Sequence, residues 1–448
     1  MNKKKLAIIF FGVLSLSVKA QSINMNFPHF AGKSYDFIIF QGDEQKKVYS
    51  GAIPANGKFT LNIPKEYSTY NGMSRWLITG TAEGGGLDMY IPGKDFSVGC
   101  TEDKPSEKNI IYTNNDNNTR LNELFRKQIE ILARYEAMQK SIKAFTSSDA
   151  NYPIFQQEYK KQIEAYNNFQ QQLTTEPDYI GHFLQIVNIT QEISNHLTEN
   201  EQDKAMDILR YITNELDWAT LYTSGHWTTI IDTWLNIHAR LIKNPEQFSK
   251  DFQTISVKIN SPVIYTNLAK TIAHNLSREG QDEYIRAIAP IIKGSGKITQ
   301  YNGELETYTK GTIGSQAPDL IIQKQETNGN KQISKTQTLK IADKAYQHTI
   351  LFFYRSTDCQ VCNEQLQQLT TNYQSLMSKG IRIITLSADK DKAAYNSKSK
   401  AFPWKDTYHD YKGEKSENFK NYSVTGVPTI ILIDNVGKIL SRGATIDF

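Results

Sequence analysis

Cysteine is scarce in this sequence. Only Cys100, Cys359 and Cys362 occur in 448 residues, which excludes a disulfide-stapled scaffold. The eight histidines are scattered. There is no second Cys-x-x-Cys and no paired histidine spacing, so the chain lacks the partners that a structural zinc site needs. After residue 18 no apolar run is long enough to span a bilayer. Gly84-Gly85-Gly86 lacks the strand–glycine–helix context and the Lys-Ser/Thr of a phosphate loop, and reads as a turn. Net charge is also missing where it would matter. Four of the 51 Lys and Arg lie in the first 20 residues, leaving 47 against 47 Asp and Glu. A near-neutral body points neither to nucleic acid nor to an anionic membrane surface.

The first 20 residues have a different character. Lys3, Lys4 and Lys5 precede an apolar core from Leu6 to Val18, and Val18-Lys19-Ala20 offers small residues for cleavage. This is the pattern of a secretory signal peptide cut after Ala20, with a core too short for a membrane anchor. No cysteine follows that core, so a lipid anchor has no attachment residue. The mature chain is expected outside the cytoplasm, in the periplasm, with no membrane span.

Length and pattern then divide the rest. At 448 residues the chain is too long for one core, and 39% hydrophobic with 11% aromatic residues excludes disorder. Residues 21–113 alternate apolar and polar in short runs (35–40, 47–53, 58–63, 75–79, 87–91, 96–100). Turn pairs such as Asn56-Gly57 and Asn71-Gly72 separate them. This predicts a sandwich-like antiparallel β domain. From about 117 the period changes to three and four, with Leu121, Leu124, Phe125, Ile129 and Leu132 on one face. Helices are predicted near 117–142, 152–174, 178–197, 201–215, 226–242, 262–275 and 280–293, making 114–296 an all-α domain. His226, Trp227, Trp234 and His238 read as core packing within it. Residues 297–315 read as a linker with short extended pieces. Residues 316–448 alternate again: strand 319–324, turn 328–330, short helix or turn 338–346, strand 349–354, helix 359–378, strand 381–387, a polar helical insertion 390–421, and strands 429–433 and 438–442. Strands 349–354 and 381–387 are apolar on both faces, as parallel central strands are, and a helix joins them in a βαβ unit.

The chemistry sits at the first turn of that helix. Cys359-Gln360-Val361-Cys362 follows the apolar strand directly. Unpaired N–H groups and the helix dipole favour a thiolate there. Cys359 is the expected nucleophile. Cys362, one turn on and deeper, is the expected resolving thiol. Val427-Pro428 precedes the next strand, where a proline cannot donate to a sheet. A cis peptide at that pair would leave the Val427 backbone free to meet an extended substrate. Cys100, alone at the end of a β run, reads as a small buried apolar residue.

Together these residues resemble the thioredoxin-like superfamily, in particular its exported TlpA/ResA-like and AhpC/TSA-like group. The resemblance rests on Ala317-Pro318-Asp319, Ile350–Tyr354, Cys359-Gln360-Val361-Cys362, Leu386-Ser387-Ala388-Asp389, Gly426-Val427-Pro428-Thr429 and Asp434-Asn435-Val436-Gly437-Lys438. It covers residues 316–448. It implies an α/β thioredoxin fold, redox chemistry at the cysteine pair and a cis-proline at Pro428. Ile53–Phe59 resembles the uncharacterised β domain that precedes such modules in Gram-negative envelopes. Three positions depart from the pattern. Asp358 stands where the family has Trp; its carboxylate would either disfavour the neighbouring thiolate or cap the helix, and capping is the reading preferred. Phe353 stands where thioredoxin has a buried acid. Gln365 replaces a Glu of some relatives, leaving Glu364, with Asp358, as the candidates for a proton relay. A peroxidase site would need proline at Phe352, although Ser356 fits that motif.

The expected function is disulfide exchange with envelope proteins, reductive or isomerising. It needs no organic cofactor and no metal, and an unidentified redox partner recharges the pair. The alternative is a binding or scaffold protein whose thioredoxin-like domain is weakly active, which the missing Trp and missing acid favour.

Overall fold

Why the N-terminal runs alternate is visible in the computed structural model. It describes residues 21–82, 84–175, 177–328 and 331–445, with the backbone alone for 324–328 and 331–334. The signal-peptide reading of residues 1–20 and the turn at Gly329-Asn330 lie outside these residues. The strands are β1 (Ser22–Asn26), β2 (Ser34–Gln41), β3 (Glu44–Ala52), β4 (Lys58–Asn62), β5 (Asn71–Thr79), β6 (Gly86–Pro92), β7 (Phe96–Gly99) and β8 (Ile111–Thr113). They form two sheets, ordered β4-β1-β7-β8 and β3-β2-β5-β6. The inward residues Ile23, Phe37, Leu61, Trp76, Met89 and Phe96 form one core between them. The pairing is antiparallel except β1 with β7, which run parallel. Asn71-Gly72, expected as a turn, instead opens β5. Thr223 packs where a Cβ on Gly72 would stand, and its carbonyl accepts from Met73 N at 2.9 Å. That glycine admits a close backbone, not a reversal.

Helices α1 (Asp116–Ala144) and α2 (Tyr152–Thr175) form a hairpin. Asn118 anchors α1 to β6, its Oδ1 accepting from Tyr90 N at 2.8 Å. The chain divides into two units, one of residues up to 184 with 223–225, the other of residues 185–222 and 226–448. The division falls inside α3 (Tyr179–Thr190), which stops short of the expected 197.

The second unit continues with α4 (Glu201–Asn214), α5 (Trp218–Tyr222), α6 (Trp227–Asn236), α7 (Pro245–Lys258), α8 (Pro262–Arg278) and α9 (Asp282–Gly294). Asparagine and serine caps start three of them: Asn200 for α4, Asn244 for α7 and Ser261 for α8. Trp227, Trp234, Phe248, Tyr265 and Ile288 fill the helical core, so the Trp cluster packs as expected. In place of extended pieces, residues 303–308 form a 3-10 turn whose Leu305 and Tyr308 join that core.

β9 (Leu320–Asn328) and β10 (Lys331–Leu339) make a hairpin; β10 runs into the segment expected as helix or turn. β11 (His348–Tyr354), α10 (Gln360–Ser378), β12 (Ile381–Ser387), α11 (Lys392–Ser399), β13 (Asp406–Tyr408), α12 (Glu417–Asn421), β14 (Thr429–Asp434) and β15 (Ile439–Gly443) follow. The sheet order is β13-β12-β11-β14-β15. β11, β12 and β13 are parallel; β14 and β15 are antiparallel to their neighbours. This is a thioredoxin-like fold. The expected helical insertion carries an edge strand, β13, that three residues were too few to announce.

Arg442 of β15 ties this sheet to the helices. Its Nε donates to Asp282 at the start of α9 at 2.7 Å, and its other nitrogens reach the carbonyls of Tyr422 and Ser423. Both charged side chains are nearly buried. Arg442→Ala would leave the Asp282 carboxylate uncompensated. A loss of about 3–5 kcal/mol is expected, read as a lowered denaturation midpoint of the full chain.

His409 lies against the rings of Tyr395 and Tyr411, with centroids 3.7 and 3.8 Å away. Burial pushes its pKa down to about 4, from an ordinary 6.5. Its stabilising contribution is therefore complete above about pH 6.5 and is lost as pH falls towards 4. Thermal unfolding between pH 7 and 4 should show a shallower acid decline in His409→Gln than in the parent chain.

Candidate active site

β11 is buried from Thr349 to Tyr354, which fixes where the following loop begins. Asp358 then takes a left-handed backbone, φ 55°, a conformation that Asp tolerates better than most residues. This reversal sends Cys359 into the helix N-cap. Its sulfur accepts from Cys362 N at 3.2 Å. Cys359, not Asp358, therefore caps α10, and the expected capping role of Asp358 is corrected. The Asp358 carboxylate is exposed, and no hydrogen bond or ion pair holds it among the described residues.

Cys359 and Cys362 are joined in a disulfide, with Cα atoms 5.3 Å apart. Cys362 is buried against Phe352, Tyr354, Leu366, Trp404 and Ile430, whereas Cys359 is half-buried. The outer sulfur alone is reachable. Opposite it stands Val427, whose carbonyl oxygen is 3.8 Å from Cys359 Sγ. The Val427–Pro428 peptide bond is cis. Sequence spacing thus brings Cys359, Cys362, Val427 and Pro428 to one place.

Residues 313–442 match the AhpC/TSA family. That span is the thioredoxin-like sheet with its flanking segments; the chain before it is not part of the match. No curated protein matches the chain. A thiol-disulfide oxidoreductase from Bacteroides fragilis is 24% identical, over 30% of this chain and 92% of its own, with a TM-score of 0.24. The thioredoxin domain of one from Bacteroides vulgatus is 22% identical, over 29% of this chain and 87% of its own, TM-score 0.24. A thioredoxin-like protein from Bacteroides caccae is 15% identical, over 55% of this chain and 90% of its own, TM-score 0.36.

Within the AhpC/TSA-like domain, the residues that depart from the family pattern have physical explanations. Phe353 is fully buried, its ring 4.9 Å from that of Phe419 and 5.5 Å from that of Tyr422. A carboxylate there would lie in an apolar layer without a partner. Glu364 is on the exposed side of α10, accepting from Gln360 at 2.9 Å. It lines an open groove of about 550 Å³ with Phe402 and Lys398. Cys100, in the other unit, is buried and donates to Asn109 Oδ1 at 3.4 Å. Among the described residues no group of His, Cys, Asp and Glu is placed to hold a metal ion. No helix among them is long and apolar enough to cross a membrane.

Two features that hold the loops flanking the disulfide were given no role from the sequence. One is Asp389, nearly buried just beyond β12, whose carboxylate takes Ser356 N at 3.0 Å, Ser356 Oγ at 2.7 Å and Ser387 Oγ at 2.6 Å. The other is the end of α8. A Cβ on Gly426 would stand 3.2 Å from Arg278 Cα and 3.5 Å from Ser277 O, so the helical region walls the loop that holds Val427 and Pro428. Nothing in either local pattern marks a contact so distant in sequence. Gly426→Val should displace this loop or the end of α8. An expected cost of about 1–3 kcal/mol should appear as a lower melting temperature, together with slower reaction of Cys359.

Proposed function

We propose that this protein is an exported thiol–disulfide oxidoreductase of the cell envelope that reduces or isomerises disulfides in other proteins. The observation that carries the reading is the division of labour between the two sulfurs. One is accessible at a helix N-terminus beside a cis-proline loop, and the other is sealed beneath it. A helix start favours the thiolate form of the outer cysteine, and Cys362 N–H already points at that sulfur.

In the reduced protein, the Cys359 thiolate attacks one sulfur of a substrate disulfide. A new S–S bond forms to Cys359, the substrate bond breaks, and one substrate thiolate leaves with the electron pair. The Cys362 thiol gives its proton to the substrate thiolate just released and attacks Cys359 Sγ. The mixed disulfide breaks and the second substrate thiolate leaves. The substrate gains two electrons and the protein ends as the Cys359–Cys362 disulfide. A dithiol partner must then reduce it. In isomerisation the substrate's own thiol displaces Cys359, and no net electrons move. Val427 and Pro428 are assigned the positioning of the substrate backbone beside Cys359. Asp358, exposed next to the nucleophile, is the remaining acid placed to exchange protons with solvent there.

The scaffold alternative draws support from the absence of an acid at Phe353. Trapping separates the two. Cys362→Ser should accumulate mixed disulfides with envelope proteins, released by reductant, while Cys359→Ser should accumulate none. The wild-type couple should equilibrate reversibly near about −200 mV or lower. An empty trap and no reversible couple would leave binding as the function.

A further inference from the structure

The acid missing from β11 has a counterpart one strand away. β11 and β12 are parallel neighbours, with Tyr354 opposite Ser387. Asp389 follows two residues later and is 3% exposed. Its oxygens take Ser356 N at 3.0 and 3.2 Å, Ser356 Oγ at 2.7 Å and Ser387 Oγ at 2.6 Å. Its own N–H donates to Ser387 Oγ at 2.9 Å. Ser356 lies in the short loop between β11 and Cys359, three residues before the nucleophile. A carboxylate accepting this many short bonds holds its partner more firmly than neutral pairs do.

We propose that Asp389 is a positioning residue for the cysteine couple: its buried carboxylate clamps Ser356, and so sets both the placement of Cys359 and the electrostatic field in which its thiol ionises. This rests on the reading of Cys359 as the nucleophile. The clamp makes the left-handed turn at Asp358 reproducible, because the chain between Tyr354 and Cys359 is pinned at its middle. The charge acts in the opposite sense to the helix N-terminus, since a nearby anion disfavours a thiolate. Other charged groups around the loop are arranged at its rim. Arg355 is ion-paired with Glu414 at 2.5 Å. Lys390, Asp391, Lys412 and Lys415 surround an open cavity of about 450 Å³ that Asp389 also lines, and His409 feels the Asp389 charge from β13's side.

The test uses the full chain and two readouts. In a Cys362→Ser background, the pH dependence of iodoacetamide alkylation gives the ionisation of Cys359 without requiring any exchange activity. In the two-cysteine protein, equilibration with glutathione gives the redox equilibrium constant. Asp389→Asn keeps the shape and removes the charge. Cys359 should then ionise at lower pH, and the equilibrium should shift about tenfold towards the dithiol, equivalent to about 30 mV. Ser356→Ala keeps the charge but removes one bond; alkylation above the thiol pKa should slow several-fold with the ionisation little changed. If Asp389→Asn melts earlier yet leaves both readouts within twofold of the parent, Asp389 only supports the fold and the proposal fails. Should Asp389→Asn not fold, an unchanged alkylation rate in Ser356→Ala would overturn the clamp by itself. A parent protein with no reversible couple would instead contradict the exchange function, while the alkylation data would still decide the role of Asp389.

Discussion

A sulfur stands where most helices place a hydroxyl or carboxylate oxygen. Cys359 caps α10 by accepting the N–H of Cys362, and the rest of the domain is arranged around this contact. A capping atom must face the free N–H groups of the first turn. Here that requirement and the chemical requirement for a stabilised thiolate select the same atom. The buried end of β11 fixes the approach, and after the left-handed Asp358 the sulfur of Cys359 meets the N–H of Cys362. Cys362 then has no choice of side: one helical turn further in, it meets Phe352, Leu366 and Trp404.

The wall opposite the sulfur depends on the helical region as much as on the sheet. Gly426 lies so near the end of α8 that a Cβ on it would stand 3.2 Å from Arg278 Cα. Arg442 joins β15 to the first residue of α9 through a nearly buried ion pair. The Val427–Pro428 loop is therefore held from two sides, by β14 following it and by α8 beside it. This gives the helices a physical relation to the site that a modular view of the sequence, with a linker at 297–315, would not suggest. Leu305 and Tyr308 within that stretch are core residues.

Much of this was legible. Strands β11 and β12 announced themselves by unbroken apolar runs, the cysteine pair by its place at a strand–helix junction, and Pro428 by standing where a sheet donor should be. Most β strands of the first unit followed from alternation alone. The failures have different causes. α7 was not among the predicted helices, although Asn244-Pro245 is a cap followed by a first-turn proline and Phe248, Phe252 and Ile255 recur at four and three residues. Asn71-Gly72 looked like a turn because the loop bearing Thr223, which needs the glycine, lies about 150 residues away. Asp358 looked like a cap because composition ranks Asp above Cys for that role, whereas the backbone angle decided otherwise. Asp389 entered only as the last residue of the Leu386-Ser387-Ala388-Asp389 motif, because its partner Ser356 lies 33 residues away in sequence.

These misplacements bear on the electrostatics of the couple. No lysine or arginine hydrogen-bonds either sulfur among the described residues; the intervening Gln360 and Val361 are neutral. The nearest charged side chain in sequence is the exposed carboxylate of Asp358, and the loop behind it is pinned by the buried carboxylate of Asp389. Stabilisation of a thiolate at Cys359 thus falls to the helix terminus and the Cys362 N–H, with two acids working against it. On the exchange function proposed above, such a balance keeps the reduced pair from being greatly favoured. Strong oxidants depend on a stabilised reduced form. The same residues that make this site look weak as an oxidant therefore suit, on that reading, a donor of electrons or a reshuffler of disulfides.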